Sequence, residues 1–93
     1  IELDLERFTV TRGQNPIELT PLEFRLLHHL TAHPRQPFSR NQLIEIIWGY
    51  ESNIGDERTI DVHMRHLRQK LEEDPANPRW IVTVRGVGYK LEP

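Results

Sequence analysis

The stretch that most restricts the fold is 58–73, RTIDVHMRHLRQKLEE. On a helix turning about 100° per residue, Ile60, Met64, Leu67 and Leu71 fall on one stripe at spacings i, i+4, i+7 and i+11. That is the pattern of a helix buried along one face. The opposite side carries Arg58, Val62, Arg65, His66 and Gln69. These are cationic and polar groups able to hydrogen-bond phosphates and base edges, plus one small apolar side chain suited to a thymine methyl. The apolar stripe demands a scaffold. Taken alone, the outer face has two readings, a solvated charged surface or a surface that meets nucleic acid.

The preceding segments supply the scaffold. In residues 1–19, Leu3 and Leu5 alternate with acidic residues, and Phe8 and Val10 alternate with Arg7, Thr9 and Thr11. This is the period-two pattern of strands with one buried face. Gly13-Gln14-Asn15-Pro16 is turn chemistry, so antiparallel hairpins are predicted. Thr20-Pro21-Leu22-Glu23 then starts a helix over 20–33. Thr20 caps it, Pro21 suits the first helical position and Glu23 completes a capping box. Leu22, Phe24, Leu26, Leu27 and Leu30 form its apolar face, and the helix ends before Pro34.

After a proline-bounded connector over 33–37, Ser39-Arg40-Asn41-Gln42 is a second capping box. It opens a helix over 39–48 that Gly49 stops. Residues 49–57 form a polar loop, long for a link between two helices of a small domain, and long loops are more often functional. The main helix over 58–73 is stopped by Pro75 and Pro78. Two β-rich runs then flank Arg85-Gly86-Val87-Gly88 and predict a hairpin over 80–91, with Arg85 at or beside its tip.

Composition narrows the function classes. The 93 residues make one domain with room for one modest core. The 37% hydrophobic and 28% charged content excludes wholesale disorder. No apolar run approaches membrane-spanning length, and no leader pattern is present. With Ile1 in place of Met, the chain reads as a piece of something longer. The absence of cysteine excludes disulfides and thiolate metal sites and fits a reducing cytosol. The net charge of −2 argues against a nucleic-acid partner, but its distribution argues for one. Residues 1–57 carry five arginines against nine carboxylates, whereas 58–93 carry seven cations against five.

Two short helices, a loop, a cation-bearing third helix and an arginine-tipped hairpin describe a helix-turn-helix with a wing. A helix fits the major groove, while an extended arginine-bearing tip fits the narrower and more negative minor groove. The runs Arg58-Thr59-Ile60-Asp61-Val62-His63, Leu67-Arg68-Gln69-Lys70-Leu71 and Thr83-Val84-Arg85-Gly86-Val87-Gly88-Tyr89 resemble the effector domain of OmpR/PhoB-type bacterial response regulators. So do Leu19-Thr20-Pro21-Leu22-Glu23-Phe24 and the stretch from Leu43-Ile44 to Trp48-Gly49. The match is in order and spans essentially the whole chain.

The resemblance implies an α+β fold: a winged helix-turn-helix with an N-terminal antiparallel four-stranded sheet, three helices and a C-terminal hairpin wing. It implies a receiver domain N-terminal to this piece and a homodimer on tandem half-sites of double-stranded promoter DNA. By motif position, Val62, Arg65 and His66 match base contacts. Trp48, Arg58, Thr59, His63, Arg68, Thr83 and Tyr89 match phosphate or sugar contacts, and Arg85 matches the minor-groove arginine. The loop Tyr50-Glu51-Ser52-Asn53-Ile54-Gly55-Asp56-Glu57 matches a segment that touches RNA polymerase. His66 departs from the pattern, because relatives more often carry arginine there and histidine is neutral near pH 7. Arg65 or a water is the alternative reader at that position.

Plainer readings stand beside these. Asp61 lies four residues before Arg65 and seven before Arg68. It is either a surface ion-pair partner contributing a few tenths of a kcal/mol or a group that holds one of those arginines in a productive rotamer. His63 and His66 (i, i+3) and His29 and His33 (i, i+4) are spaced to share a metal, without a third convergent ligand. Trp48 and Trp80 read as packing residues, and an indole N–H also suits a phosphate. No cofactor or catalytic motif is present, since Gly86-Val87-Gly88 lies in a hairpin with no helix after it. The rival function is a winged helix that contacts protein or RNA.

Overall fold

The computed structural model describes residues 2–4, 7, 9–48 and 57–93. The expectations placed on Leu5, Phe8, Gly49 and 50–56, and on the side chains of Leu3, Trp48 and Glu57, lie outside the described residues. Among the described residues the elements run β1 (Glu2–Asp4), β2 (Thr9–Arg12), β3 (Asn15–Glu18), α1 (Pro21–Ala32), β4 (Phe38–Ser39), α2 (Arg40–Trp48), α3 (Glu57–Leu71), β5 (Ile81–Val84) and β6 (Gly88–Leu91).

Alternation makes the first three strands antiparallel, in the order β1-β2-β3. Val10 faces the core and pairs with Ile17 and Leu3. These are three strands among the described residues, against the four that the resemblance implies. Both capping boxes form. Thr20 Oγ1 accepts from the Glu23 N–H at 3.2 Å and Glu23 Oε1 accepts from the Thr20 N–H at 2.9 Å. At α2, Ser39 Oγ accepts from the Gln42 N–H at 3.1 Å and Gln42 Oε1 from the Ser39 N–H at 2.8 Å. Each pair satisfies backbone donors that a helix start otherwise leaves open.

The 3.6-residue period holds along α3: Ile60, Met64, Leu67 and Leu71 are all fully buried. They meet Leu26, Leu27 and Leu30 of α1, Leu43 of α2 and Ile81 of β5 in one core. After the connector that follows α1 comes a strand that the sequence pattern does not predict. Phe38–Ser39 pairs antiparallel with β6, so the wing hairpin sits in a three-stranded sheet ordered β4-β6-β5. Two residues are too few to show a periodicity, and the pairing partner lies some fifty positions later in the chain.

Three attachments set the end of α3. Arg12 Nη1 reaches from β2 and donates to the Leu71 carbonyl at 2.6 Å. Glu72 turns inward, 5% exposed, and its carboxylate accepts from the N–H groups of Arg79, Trp80 and Ile81 at 2.8–3.2 Å. Lys70 donates to Glu23 Oε1 at 2.6 Å, joining α3 to the start of α1. Burial of Glu23 opposes its charge, but the Lys70 ammonium and the Thr20 N–H and hydroxyl outweigh it and hold its pKa below the ordinary value. A carboxyl harder to protonate when folded stabilises the fold above its unfolded pKa of about 4.3 and loses that contribution as pH falls through the folded value. Denaturant midpoints of the wild type and Glu23→Gln are therefore expected to converge between neutral pH and about pH 3. An undiminished gap at the acid end would exclude the pair as the cause.

Candidate nucleic-acid interface

The buried stripe of α3 leaves its opposite face in solvent. Val62 is 48% exposed, and Arg58, Arg65, His66 and Gln69 are exposed with it. Thr59 and His63 lie half-buried at its edge. Burial pushes His63 below its ordinary pKa, against the opposing pull of Glu23 and with a smaller push from His66. At the far side of the wing, Arg85 and Val87 are exposed in the turn that joins β5 to β6, closed by the Val87 N–H on the Val84 carbonyl at 3.0 Å.

Between helix and wing lies a charged and aromatic seam. Arg68 donates from Nε to the Ile81 carbonyl at 3.0 Å and from Nη2 to Thr83 Oγ1 at 2.7 Å. Its guanidinium lies 5.3 Å over the Tyr89 ring, within the range of a cation–π contact. Three of the residues matched to phosphate or sugar contacts are thus drawn together, while Arg58 and Thr59 lie at the start of α3.

Asp61 is where the structure corrects the sequence. Its ion-pair partner is neither Arg65 nor Arg68 but Arg40, the first residue of α2, whose Nε donates to Oδ1 at 2.8 Å. The same oxygen accepts from the Tyr89 hydroxyl at 2.5 Å. Helical spacing offers only neighbours on α3, and packing α2 across α3 brings a cation from 21 residues away. The network holds the Asp61 carboxyl below its ordinary pKa: burial works against the charged form, and Arg40, Tyr89 and Arg68 overcome it. Arg40 carried no sequence signal beyond being a cation in a helix's first turn.

Among the described residues no group of three or more His, Cys, Asp or Glu able to hold an ion occurs. The His29 and His33 rings pack against one another and edge-on to Phe38. No described helix is long and apolar enough to cross a membrane.

A helix buried on one face and cationic on the other, set after two capped helices and flanked by a strand-built wing, defines a winged helix-turn-helix domain. The chain belongs to the family described as "Transcriptional regulatory protein, C terminal", which matches residues 13–91. It is 50% identical over 93 residues to the DNA-binding response regulator MtrA of Mycobacterium tuberculosis, covering 100% of this chain and 40% of that protein. Among solved structures it is similar to the response regulator DrrB of Thermotoga maritima, an OmpR/PhoB homologue, at a TM-score of 0.88 and 32% identity, covering 98% of this chain and 41% of that one. It is also similar to the RstA DNA-binding domain of Klebsiella pneumoniae in complex with the RstA box, at a TM-score of 0.84 and 30% identity, covering 97% and 88%. The chain thus spans two fifths of the curated relative and most of the isolated DNA-binding domain.

Proposed function

We propose that this domain binds double-stranded promoter DNA sequence-specifically, as the output domain of a two-component response regulator in the bacterial cytosol. The observation that carries this is the two-sided α3, whose fully buried stripe fixes the helix while Val62, Arg65 and His66 stay in solvent. In this reading those three face bases in the major groove and Arg85 enters the minor groove. Arg58, Thr59, His63, Arg68 and Thr83 lie along the backbone, with Trp48 beside them; Tyr89 is expected among them from its motif, and in the free domain its hydroxyl proton goes to Asp61. The RstA DNA-binding domain in complex with the RstA box and the DNA-binding response regulator MtrA support the partner class. A receiver domain before this piece, pairing of two copies on tandem half-sites, and contact of 50–57 with RNA polymerase complete the proposal. It involves no catalytic step and no cofactor.

Selecting bound duplexes from a random pool, followed by salt titration, tests the whole reading. A DNA reader loses affinity with a steep negative log–log slope. A protein-contact or RNA module would yield no enriched duplex. Two substitutions then separate the roles. Arg65→Ala is expected to cost about 1–3 kcal/mol on the selected duplex and little on a scrambled one. Arg68→Ala is expected to weaken binding to both duplexes, the scrambled one included, and to reduce the salt slope by about 1. Identical behaviour of the two variants would reject the division between base and backbone contacts.

A further inference from the structure

We propose that Asp61 is a positioning residue for DNA reading: a carboxylate that touches neither base nor phosphate but sets the angle between α3 and the wing. The inference rests on the DNA-binding reading above. Its physical basis is that one oxygen, Asp61 Oδ1, takes donors from two other elements, Arg40 of α2 and Tyr89 of β6. Three elements are therefore tied at one atom. The Tyr89 end cannot swing independently, because the residue is 5% exposed and its backbone is paired with Phe38 on one side and Thr83 on the other. Arg68, seven residues further along α3, makes the second tie through Thr83, Ile81 and the face of the same ring. Helix and wing are held at two points, which fixes an orientation where one point would leave a hinge.

The proton count separates this role from a phosphate contact. A phenol has one proton to donate, and that of Tyr89 goes to Asp61. Burial first, then this bond, raises the Tyr89 pKa above its ordinary value, so the phenol stays a donor to the carboxylate at all physiological pH. The pair consequently has no proton to offer a phosphate, and the Asp61 charge repels one. Asp61 and Arg40 side chains are 42% and 41% exposed, and ion pairs so exposed add little to stability. Their contribution is geometric. A specific complex needs α3 in one groove and the wing tip in the next at the same time, so the rigid link raises the effective concentration of the second contact. Nonspecific attraction to phosphates tolerates a loose wing.

The test measures affinity for the duplex recovered by selection and for a scrambled duplex of equal length, with melting curves as the check on folding. Asp61→Asn is expected to lose about tenfold on the selected duplex and to keep or gain affinity for the scrambled one, since a negative charge is removed. Tyr89→Phe keeps the ring under Arg68 and removes only the hydroxyl. It is expected to narrow the same ratio, and the double variant to be no worse than Asp61→Asn alone, because both remove one interaction. If Asp61→Asn does not fold, the ratio in Tyr89→Phe decides. Tyrosinate absorbance adds a direct signature: the high-pH phenol of the wild type, absent in Tyr89→Phe, is expected to ionise at lower pH in Asp61→Asn. Proportional losses on both duplexes, or a wild-type ratio in both variants, overturn the positioning role while leaving DNA binding intact. A wild type that binds both duplexes alike overturns the DNA-binding reading and this inference with it.

Discussion

Replacing Glu72 with alanine is expected to destabilise the fold by about 3–5 kcal/mol, since each buried donor left without a partner costs roughly 1–3 kcal/mol. The Glu72 carboxylate accepts the N–H groups of Arg79, Trp80 and Ile81 where the chain leaves the α3 tail and enters β5. With alanine there, the Ile81 N–H at a fully buried residue has no acceptor, and the segment must open to water or shift. Out of a typical total of about 5–15 kcal/mol, that leaves a marginal domain. Glu72→Gln keeps the shape but turns one acceptor into a donor, so its loss is expected to be smaller. Urea unfolding of the three proteins checks the order, and an alanine variant within about 1 kcal/mol of wild type would rule out the clasp.

Gly88→Ala is expected to be comparably damaging, by about 3 kcal/mol, through a different cause. A Cβ at Gly88 would land on the Phe38 carbonyl oxygen, with the Phe38 carbonyl carbon at 2.9 Å and Ser39 Cα at 3.0 Å. All of these are backbone atoms, so no rotamer change relieves the contact. β4 must move off β6, taking the buried Phe38 ring with it. The neighbouring Gly86 is the control. Its φ of +76° is left-handed, but a Cβ there meets nothing within 4 Å, so Gly86→Ala is expected to cost only about 1–2 kcal/mol of backbone strain. Equal denaturation midpoints for the two alanine variants would mean that the β4–β6 contact is not what Gly88 protects.

These two positions also show where the sequence stops being informative. The α3 stripe was legible because one period repeats over four apolar positions, and all four are buried. The starts of α1 and α2 were legible because a capping box is a local contact between residues three apart. β4 was not, because its reason for being a strand is the bare backbone of Gly88, far along the chain. Glu72 looked like the tail of a helix, whereas α3 ends at Leu71 and the carboxylate turns toward backbone seven to nine residues ahead. At the interface, the exposed residues of α3 followed from its periodicity. The partner of Asp61 did not, since helical spacing ranks Arg65 and Arg68 first and only tertiary packing delivers Arg40.

The attachments of α3 have a consequence for how such a domain can change. Asp61, Arg68, Lys70, the Leu71 carbonyl and Glu72 secure the helix to α2, the wing, α1, β2 and β5. Val62, Arg65, His66 and Gln69 take no part in any of these bonds and stand in solvent. The residues that support α3 and the three proposed above to read bases, Val62, Arg65 and His66, are thus different residues of one helix. On the proposed reading, a lineage carrying this architecture can redirect itself to a new operator by exchanging those three side chains, without passing through an unfolded ancestor.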